Sequence, residues 1–429
     1  MITLKNARLF NGRELLSGTH SVVVDGPVVA AVSADAPGSS GGGASKVPKA
    51  TTEEVIDLQG MTLMPGLITC HMHADFFKFT LAAGLAGEPL GKEFPPGVMM
   101  AIGVRNCRVL LESGFTGYVG ASCTNHIDAQ LKMAIAEEII PGPRIRACGH
   151  HIGTTADLND TKLWWRHQLT SGTDIFGDGP DELRKMVRNE VRHGAEIIKF
   201  FASEGHGFPG RTARNMDKDE IAAIVEAAHG RGVRVRTHVA DKAMMMECIE
   251  LGVDVIDHGD QIDRECIEAM AAAGTFWVPS LIYPKTLMEL GWAPPETQAL
   301  YDNVREMLPV AQKAGVRVLV GDDYSGVFRD VVEDDDLDHQ VGCYGREFAY
   351  YAGIEGLSAA DVLSWGTANA GELLVDSPHK LGVIEAGALA DLIVVQGNPL
   401  DDLSLLARPE QYLKAVMRDG QFVIDRRAG

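Results

Sequence analysis

Short apolar runs alternate with longer amphipathic stretches through the middle of the chain. This alternation is typical of repeated βα units, which build a parallel sheet. Eight apolar runs occur, and eight parallel strands can bury both faces by closing into a barrel. We therefore predict a (β/α)₈ TIM barrel. Its predicted strands are Gly66–Cys70, Thr116–Gly120, Arg144–Cys148, Glu196–Phe200, Arg234–Thr237, Val253–Asp257, Thr275–Pro279 and Arg317–Val320. Its predicted helices include Asp181–His193, Lys218–Arg231, Lys242–Leu251, Arg264–Ala273 and Ala359–Leu373.

The two ends of the chain have a different pattern from the middle. Both consist of short β-runs separated by turns, and a Gly-, Ser- and Ala-rich segment at 34–50 indicates a flexible loop. Because the two ends resemble each other, we predict a small β-sandwich domain built from both termini. The predicted division is 1–64 for the first part of the sandwich, 65–376 for the hydrolase barrel and 377–429 for the second part.

Composition narrows the possible partners and the compartment. The chain is 45% hydrophobic and 23% charged, as in ordinary globular proteins, and no apolar run reaches the ~18 residues that a membrane span needs. The polar start MITLKNARLFNG is unlike a secretory signal, so we expect a cytoplasmic protein without a membrane partner. The net charge of −20 argues against nucleic acid. Seven cysteines without a CxxC pair indicate free, reduced thiols.

Candidate metal ligands stand where the predicted strands end. His71 and His73 follow the first strand, and residues i and i+2 of a strand point to the same side, so both imidazoles can meet one ion. Lys199, His238 and His258 end the fourth, fifth and sixth strands. Each signal alone is weak, because a single His or Lys at such a place is commonly structural. Their shared position favours a site, since catalytic groups of this fold lie at the C-terminal ends of its strands.

The eighth strand adds an acidic candidate. Asp323 could bind an ion and accept a proton there, and Asp322 is its direct rival. The donors are nitrogen and oxygen, which suits Zn²⁺, Co²⁺, Mn²⁺ or Fe²⁺, and two ions about 3.5 to 4 Å apart can share a hydroxide. Burial would lower the pKa of Lys199, and its neutral amine could react with CO₂ to give a bridging carbamate. The alternative is a lysine in a buried ion pair.

These residues resemble the amidohydrolase superfamily over nearly the whole chain. The matching segments are VIDLQGMTLMPGLITCHMH, EIIKFFASEG, RVRTH, VIDHG, VGDD and LGVIEAGALADLIVV. The resemblance points to the binuclear branch with a carboxylated lysine, which includes prolidase-like dipeptidases and imidazolonepropionase-like proteins. It implies one ion, most often Zn²⁺, on His71, His73 and Asp323, a second on His238 and His258, and carboxylated Lys199 bridging both. Asp323 takes the ligand position of the family's Gly-Thr-Asp motif.

Three departures from the prolidase-like pattern weaken a dipeptidase assignment. Those relatives carry His-Ala-Tyr at strand five, where the tyrosine helps to hold the substrate carbonyl, whereas this chain has His238-Val239-Ala240. Their Gly-Gly-His-Ala-Asp loop after strand three is replaced by GHHIGTTADLND, in which His150 or His151 could take over that catalytic contact or be structural. The end of strand two, TGYVGASCTNH, lacks the family's Arg-Asp pair.

We therefore expect a metal-dependent hydrolase of an amide-like C–N bond in an N-acyl, urea or carbamate small molecule. A metal-bound hydroxide would attack, and Asp323 would pass its proton to the leaving nitrogen. The apolar loop after strand one, together with Trp164 and Trp165 after strand three, indicates a substrate with an apolar or aromatic group. A loose similarity to phenylurea and thiocarbamate hydrolases points the same way. The alternative is that these side chains pack between protomers. The resemblance also implies a homo-oligomer.

Three other functions remain open at this point. The first is a prolidase-like dipeptidase or carboxypeptidase. The second is a deaminase, against which the absence of a glutamate directly after strand five counts. The third is a catalytically silent scaffold, like the dihydropyrimidinase-related structural proteins, which would have no need of all the ligand positions that this chain keeps.

Overall fold

Eight short strands follow one another through the middle of the chain, separated by helices and loops. The computed structural model describes residues 1–35, 54–77, 91, 94–157, 159–160, 165, 171–210, 213–289, 291–323 and 341–427. Barrel strands one to eight are Leu67–Met72, Phe115–Gly120, Arg144–Arg146 with its continuation Cys148–Gly153, Ile197–Phe201, Arg234–Val239, Val255–His258, Phe276–Val278 and Arg317–Val318. A further short strand, Asp174–Phe176, pairs with the third.

The strands pair in parallel, each with the next in the chain. The ring closes between the first strand and the segment after the eighth, where the Cys70 amide donates to the Val320 carbonyl oxygen at 2.8 Å. Closure buries both faces of a strand, and every residue of strands one and two is buried. The predicted (β/α)₈ barrel is confirmed.

Helices surround the barrel, and some of them begin at residues whose side chains cap them. Asp241 and Asp263 accept hydrogen bonds from the Met244 and Cys266 amides at 3.0 and 3.1 Å, which satisfies donors in the first helical turn. Four predicted helices are found, at Pro180–Arg192, Lys218–His229, Lys242–Glu250 and Arg264–Ala273. The other helices are Pro96–Glu112, Ile127–Ala136, Ile282–Glu289, Thr297–Ala314, Arg346–Tyr351 and Pro409–Tyr412, with 3₁₀ turns at Thr124–His126 and Leu403–Ala407.

The helix predicted over Ala359–Leu373 is wrong as a single element. It is divided into Ala359–Trp365 and Ala368–Leu374. The break falls at Gly366, whose carbonyl oxygen accepts a hydrogen bond from the Ile68 amide at 2.9 Å. A Cβ at this position would stand 2.5 Å from the ring of Phe348, so only glycine allows the backbone to approach so closely.

Both ends of the chain contribute to one sheet of eight strands within the described residues. Thr62–Pro65 joins the two halves by pairing antiparallel with Leu392–Val395. Gly420 lies so close to the Gly26 carbonyl oxygen that any side chain there would clash, so turns from the two ends of the chain pack against each other. The predicted domain built from both termini is found. The boundaries at 64/65 and 376/377 stay predictions. The remaining strands are Ile2–Phe10, Leu15–Asp25, Val28–Ala34, Glu54–Asp57, Leu413–Arg418 and Gln421–Asp425.

Two further observations concern the whole chain. No helix in the described ranges is long and apolar enough to cross a membrane. All seven cysteines lie in those ranges, are buried and form no disulfide. Burial raises the pKa of the Cys70 thiol to about 12, so Cys70 fits a small buried filler rather than a nucleophile.

Candidate metal centre

The histidines that end strand one converge on one carboxylate. The His73 Nδ1 donates to the Ser122 carbonyl oxygen at 3.1 Å, which turns its Nε2 toward Asp323 Oδ1 at 3.2 Å. The His71 Nε2 lies 3.3 Å from the same oxygen. Both imidazoles therefore face the same carboxylate oxygen, while the donor atoms that lie within 4.8 Å of one another belong to His71, His258 and Asp323. That His71 and His73 share one ion stays a prediction.

The two rival carboxylates after strand eight face different surroundings. Asp323 has a left-handed backbone (φ 59°) and lies between the histidine rings. Burial opposes its ionisation, but the rings of His71 and His73 outweigh burial and hold the pKa of Asp323 below its usual range. Asp322 instead accepts a hydrogen bond from the Thr69 hydroxyl at 3.0 Å, and burial raises its pKa well above the ordinary value. The structure brings Asp323 to the other predicted ligands, and not Asp322.

The rings that end strands five and six lie against each other. His238 and His258 have ring centroids 4.5 Å apart, and the Trp277 indole donates to the His258 carbonyl oxygen at 2.9 Å. Burial lowers the pKa of both rings well below the ordinary value, so their nitrogens keep lone pairs. Among the described residues, the buried His238 Nε2 and His258 Nδ1 have no hydrogen-bond partner, whereas His71 Nδ1 faces Asp257 Oδ1 at 3.4 Å and leaves Nε2 toward Asp323. Because such atoms are costly to bury unpaired, a divalent ion fits these residues.

Lys199 lies in a buried ion pair beneath these rings. It is only 2% exposed, and its Nζ is 2.5 Å from Asp257 Oδ2. Arg236 contacts both oxygens of the same carboxylate, at 2.5 and 3.0 Å. Burial lowers the pKa of Lys199 and Asp257 opposes that shift. The structure thus shows the arrangement that the sequence left as the alternative, and carboxylation of Lys199 stays a prediction.

His151 lies beside the predicted ligands. It is paired in register with Lys199 on the neighbouring strand, and its ring stacks on Phe201 at 3.5 Å, which stacks in turn on His238 at 4.1 Å. Its Nδ1 is held 2.6 Å from Asp174. Its Nε2 is buried and has no hydrogen-bond partner in the described part of the chain.

His150 belongs to a different group of side chains. Because successive side chains of a strand point to opposite faces, it turns away from the face that carries His151. Its Nδ1 lies 3.3 Å from both oxygens of Glu190 on helix Pro180–Arg192, and its ring meets His126 edge-on at 4.5 Å. The structure does not bring His150 together with the predicted metal ligands.

Sequence reasoning missed His206, in the loop after strand four. Its ring stacks on His258 at 3.7 Å and lies 5.2 Å from Tyr283. Its Nδ1 is 2.8 Å from Asp260 Oδ1, while its Nε2 is buried without a partner in the described ranges. The available signals were a histidine between two glycines directly after strand four, in SEGHG, and the acidic residue in DHGD after strand six.

Of the aromatic side chains predicted to line an apolar pocket, some lie within the described residues and some outside them. Phe76 stacks on the His73 ring at 4.2 Å, so one aromatic side chain of the predicted loop does lie beside a candidate ligand. Trp165 is 63% exposed. Trp164 and residues 78–90 and 92–93 lie outside the described residues, so the apolar pocket stays a prediction.

Comparison with known proteins agrees with this fold. Residues 62–423 match the sequence pattern described as "Amidohydrolase family". Ochratoxinase from Aspergillus niger is 27% identical over 382 residues, covering 81% of this chain and 73% of that protein. A 5-methylthioadenosine/S-adenosylhomocysteine deaminase from Natronomonas pharaonis is 29% identical over 368 residues, covering 81% and 75%. A crystal structure of a prolidase complexed with N-methylphosphonate-L-proline is similar at a TM-score of 0.78 and 27% identity, over 99% of both chains.

Proposed function

Because the chain belongs to the amidohydrolase family, and so is a hydrolase acting on C–N bonds, we propose that it is metal-dependent and cleaves an amide-like bond in an N-acyl, urea or carbamate small molecule. One observation carries this proposal. Donor atoms of His71, His258 and Asp323 lie within 4.8 Å of one another, and the ring of His238 lies 4.5 Å from that of His258. Nitrogen and oxygen donors in this number suit Zn²⁺, with Co²⁺, Mn²⁺ or Fe²⁺ as substitutes.

Two ions would divide these ligands. His71, His73 and Asp323 would hold one, and His238 and His258 the other. When bound, such a pair supplies a water of lowered pKa and polarises the carbonyl of the substrate. Asp323 lies where it can take the proton of the attacking water and deliver it to the leaving nitrogen.

The charges around Lys199 favour its conversion into a carbamate once ions are bound. Arg236 and Lys199 already place two cations against the single carboxylate of Asp257. Divalent ions beside an unmodified ammonium would add more uncompensated positive charge to a buried site, which is costly. In carboxylation the neutral amine forms an N–C bond to CO₂, one C–O π pair moves onto oxygen, and a proton is released. The product is an anionic ligand able to contact both ions.

The substrate carbonyl needs a contact in place of the tyrosine that strand five lacks. We assign this contact to His206 and His151, whose Nε2 atoms are buried beside the ligands while Asp260 and Asp174 hold the opposite ring nitrogens. A ring fixed in this way is oriented before the substrate arrives, which lowers the cost of reaching the transition state. Phe76 and Phe201 offer apolar surface next to the same place.

Replacing His206 with asparagine is expected to lower kcat/KM by about 10²-fold, the usual cost of removing one contact to the reacting oxygen. The loss should fall mainly on kcat, while the metal content stays at the wild-type value. His229→Asn is the matched control, because His229 is exposed and pairs with Asp254 on the outside. A wild-type rate for His206→Asn would refute its role, and a loss of one ion would make it a ligand instead.

The substrate class is tested by assaying the metal-loaded enzyme on dipeptides, aryl amides, ureas and carbamates. We expect turnover of small amide-like compounds, little turnover of dipeptides, and loss of activity on chelation. The second candidate, a prolidase-like dipeptidase, is favoured by the similarity to a prolidase over 99% of both chains; turnover of dipeptides alone would support it. Activity that survives complete metal removal would contradict the proposal. The homo-oligomer and the cytoplasmic location stay predictions.

A further inference from the structure

A second cluster of histidine and glutamate side chains lies apart from the barrel mouth. His126 ends the 3₁₀ turn after strand two, His150 lies on strand three, and Glu190 lies on helix Pro180–Arg192. One donor atom from each of the three lies within 4.8 Å of the other two. We call these three residues the lateral site.

The spacing of the donor atoms is close to that of ligands around one ion. His126 Nε2 is 3.1 Å from Glu190 Oε2, and His150 Nδ1 is 3.3 Å from each carboxylate oxygen. Ligands about 2.0 to 2.1 Å from a tetrahedral Zn²⁺ stand about 3.3 to 3.4 Å apart, whereas an N–H···O hydrogen bond is about 2.9 Å long. Despite its short distance, His126 Nε2 has no hydrogen-bond geometry to any described residue.

The surroundings hold these donors in place. The Glu190 carboxylate accepts a hydrogen bond from the His150 amide at 2.8 Å, and Gly149 leaves it the room, since a Cβ there would stand 2.0 Å from Glu190 Oε2. The ring of His126 stacks on His193 at 4.2 Å. These contacts hold the carboxylate and the His126 ring in place before any ion binds.

An ion can reach the lateral site from solvent. The His126 side chain is 16% exposed, while those of His150 and Glu190 are 9% and 1% exposed, so solvent contacts the site mainly at His126. Oriented ligands and access from solvent are what a metal site requires.

We propose that the lateral site binds a divalent transition ion such as Zn²⁺, with water completing a tetrahedral set. Three protein ligands and one open position are a common Zn²⁺ arrangement, and two imidazoles with one carboxylate suit that metal. The ligands come from the loop after strand two, from strand three and from an outer helix, so the ion would cross-link three elements. Binding to the folded chain would raise its thermal stability.

The test uses the full chain with the double substitution His238→Asn/His258→Asn, which removes two ligands of the mouth. Because His71, His73 and Asp323 remain at the mouth, the lateral ion is counted as a difference. Co²⁺ titration of this variant, followed by visible absorption and by metal analysis after desalting, should show one tetrahedral ion per chain more than in the same variant carrying a lateral-site substitution, and that ion should raise Tm. Adding His126→Asn or Glu190→Gln should abolish that ion. His193→Asn is the matched control and should keep it, because His193 stacks on His126 without belonging to the donor set.

Several outcomes would overturn the proposal. One is that the double variant binds no tetrahedral Co²⁺. Another is that His126→Asn and Glu190→Gln leave its Co²⁺ spectrum unchanged. Either result would mean that the lateral site is a hydrogen-bonded cluster without an ion. If the double variant fails to fold, Glu190→Gln is made in the wild-type chain, where it should lower the bound metal by one ion relative to His193→Asn. Equal metal in these two proteins would refute the site. If the barrel mouth bound no ions, the difference in bound metal between Glu190→Gln and His193→Asn would still be expected. The proposal for the mouth and the proposal for the lateral site can therefore be refuted independently.

Discussion

Replacing Lys199 with alanine is expected to lower kcat/KM by about four orders of magnitude or more, because both ions lose their shared ligand and the water loses the site that lowers its pKa. The barrel should remain folded. Arg236 alone still neutralises Asp257, because it contacts both oxygens of that carboxylate, at 2.5 and 3.0 Å. Without the lysine, one buried cation faces this carboxylate instead of two.

The comparison is made at saturating metal with circular dichroism as the check on folding. Lys218→Ala is the control, since Lys218 forms an exposed ion pair with Glu250 at 2.7 Å and such pairs contribute little. Wild-type enzyme reconstituted in CO₂-free buffer should also be poorly active and should recover with bicarbonate. A Lys199→Ala enzyme within about tenfold of wild type, a far smaller loss than removal of a bridging ligand predicts, would reduce Lys199 to an ion-pair partner.

Asp257→Asn is expected to cost about 3 to 5 kcal/mol of unfolding free energy in the metal-free protein, because breaking a buried ion pair leaves uncompensated charge. Asp257 and Arg236 are fully buried, and Lys199 is nearly so. The amide that replaces the carboxylate is uncharged, so the guanidinium is left with neutral acceptors, among them the Gly120 carbonyl oxygen at 2.8 Å. Urea unfolding gives the difference.

Two further variants separate charge from packing. Arg236→Met/Asp257→Asn should be more stable than Asp257→Asn alone, since it removes one of the two stranded cations. Asp181→Asn, at an exposed position, should leave the unfolding midpoint unchanged. If Asp257→Asn unfolded at the wild-type urea concentration, the buried pair would not contribute to holding strands five and six together.

That the candidate ligands would lie together was predictable, because barrel geometry brings residues that are distant along the chain to one place. Strand ends that are far apart in sequence meet at one rim, so His71, His238 and His258 could be grouped without knowing any distance. The side-chain direction at strand three was not predictable. The sequence suggested that the strand ends at Cys148, whereas pairing continues to Gly153, and only that extension sends His150 and His151 to opposite faces.

His206 shows a second limit of the sequence. It lies in a loop, and a left-handed backbone (φ 64°) between Gly205 (φ 115°) and Gly207 (φ 72°) places its ring against His258. No periodicity encodes such a path, because each φ depends on local packing. The role of Arg236 was not predicted for a different reason. A charged residue inside a strand is expected to be exposed unless the buried carboxylate that pairs with it is known.

The most direct test of a binuclear centre bridged by carboxylated Lys199 is anomalous diffraction at the metal absorption edge from crystals of the reconstituted enzyme. We predict two peaks about 3.5 to 4 Å apart, one beside His71, His73 and Asp323 and the other beside His238 and His258, with density that joins the Lys199 side chain to both. A mouth without any peak, or ions bound beside an unmodified Lys199 still paired with Asp257, would contradict this account.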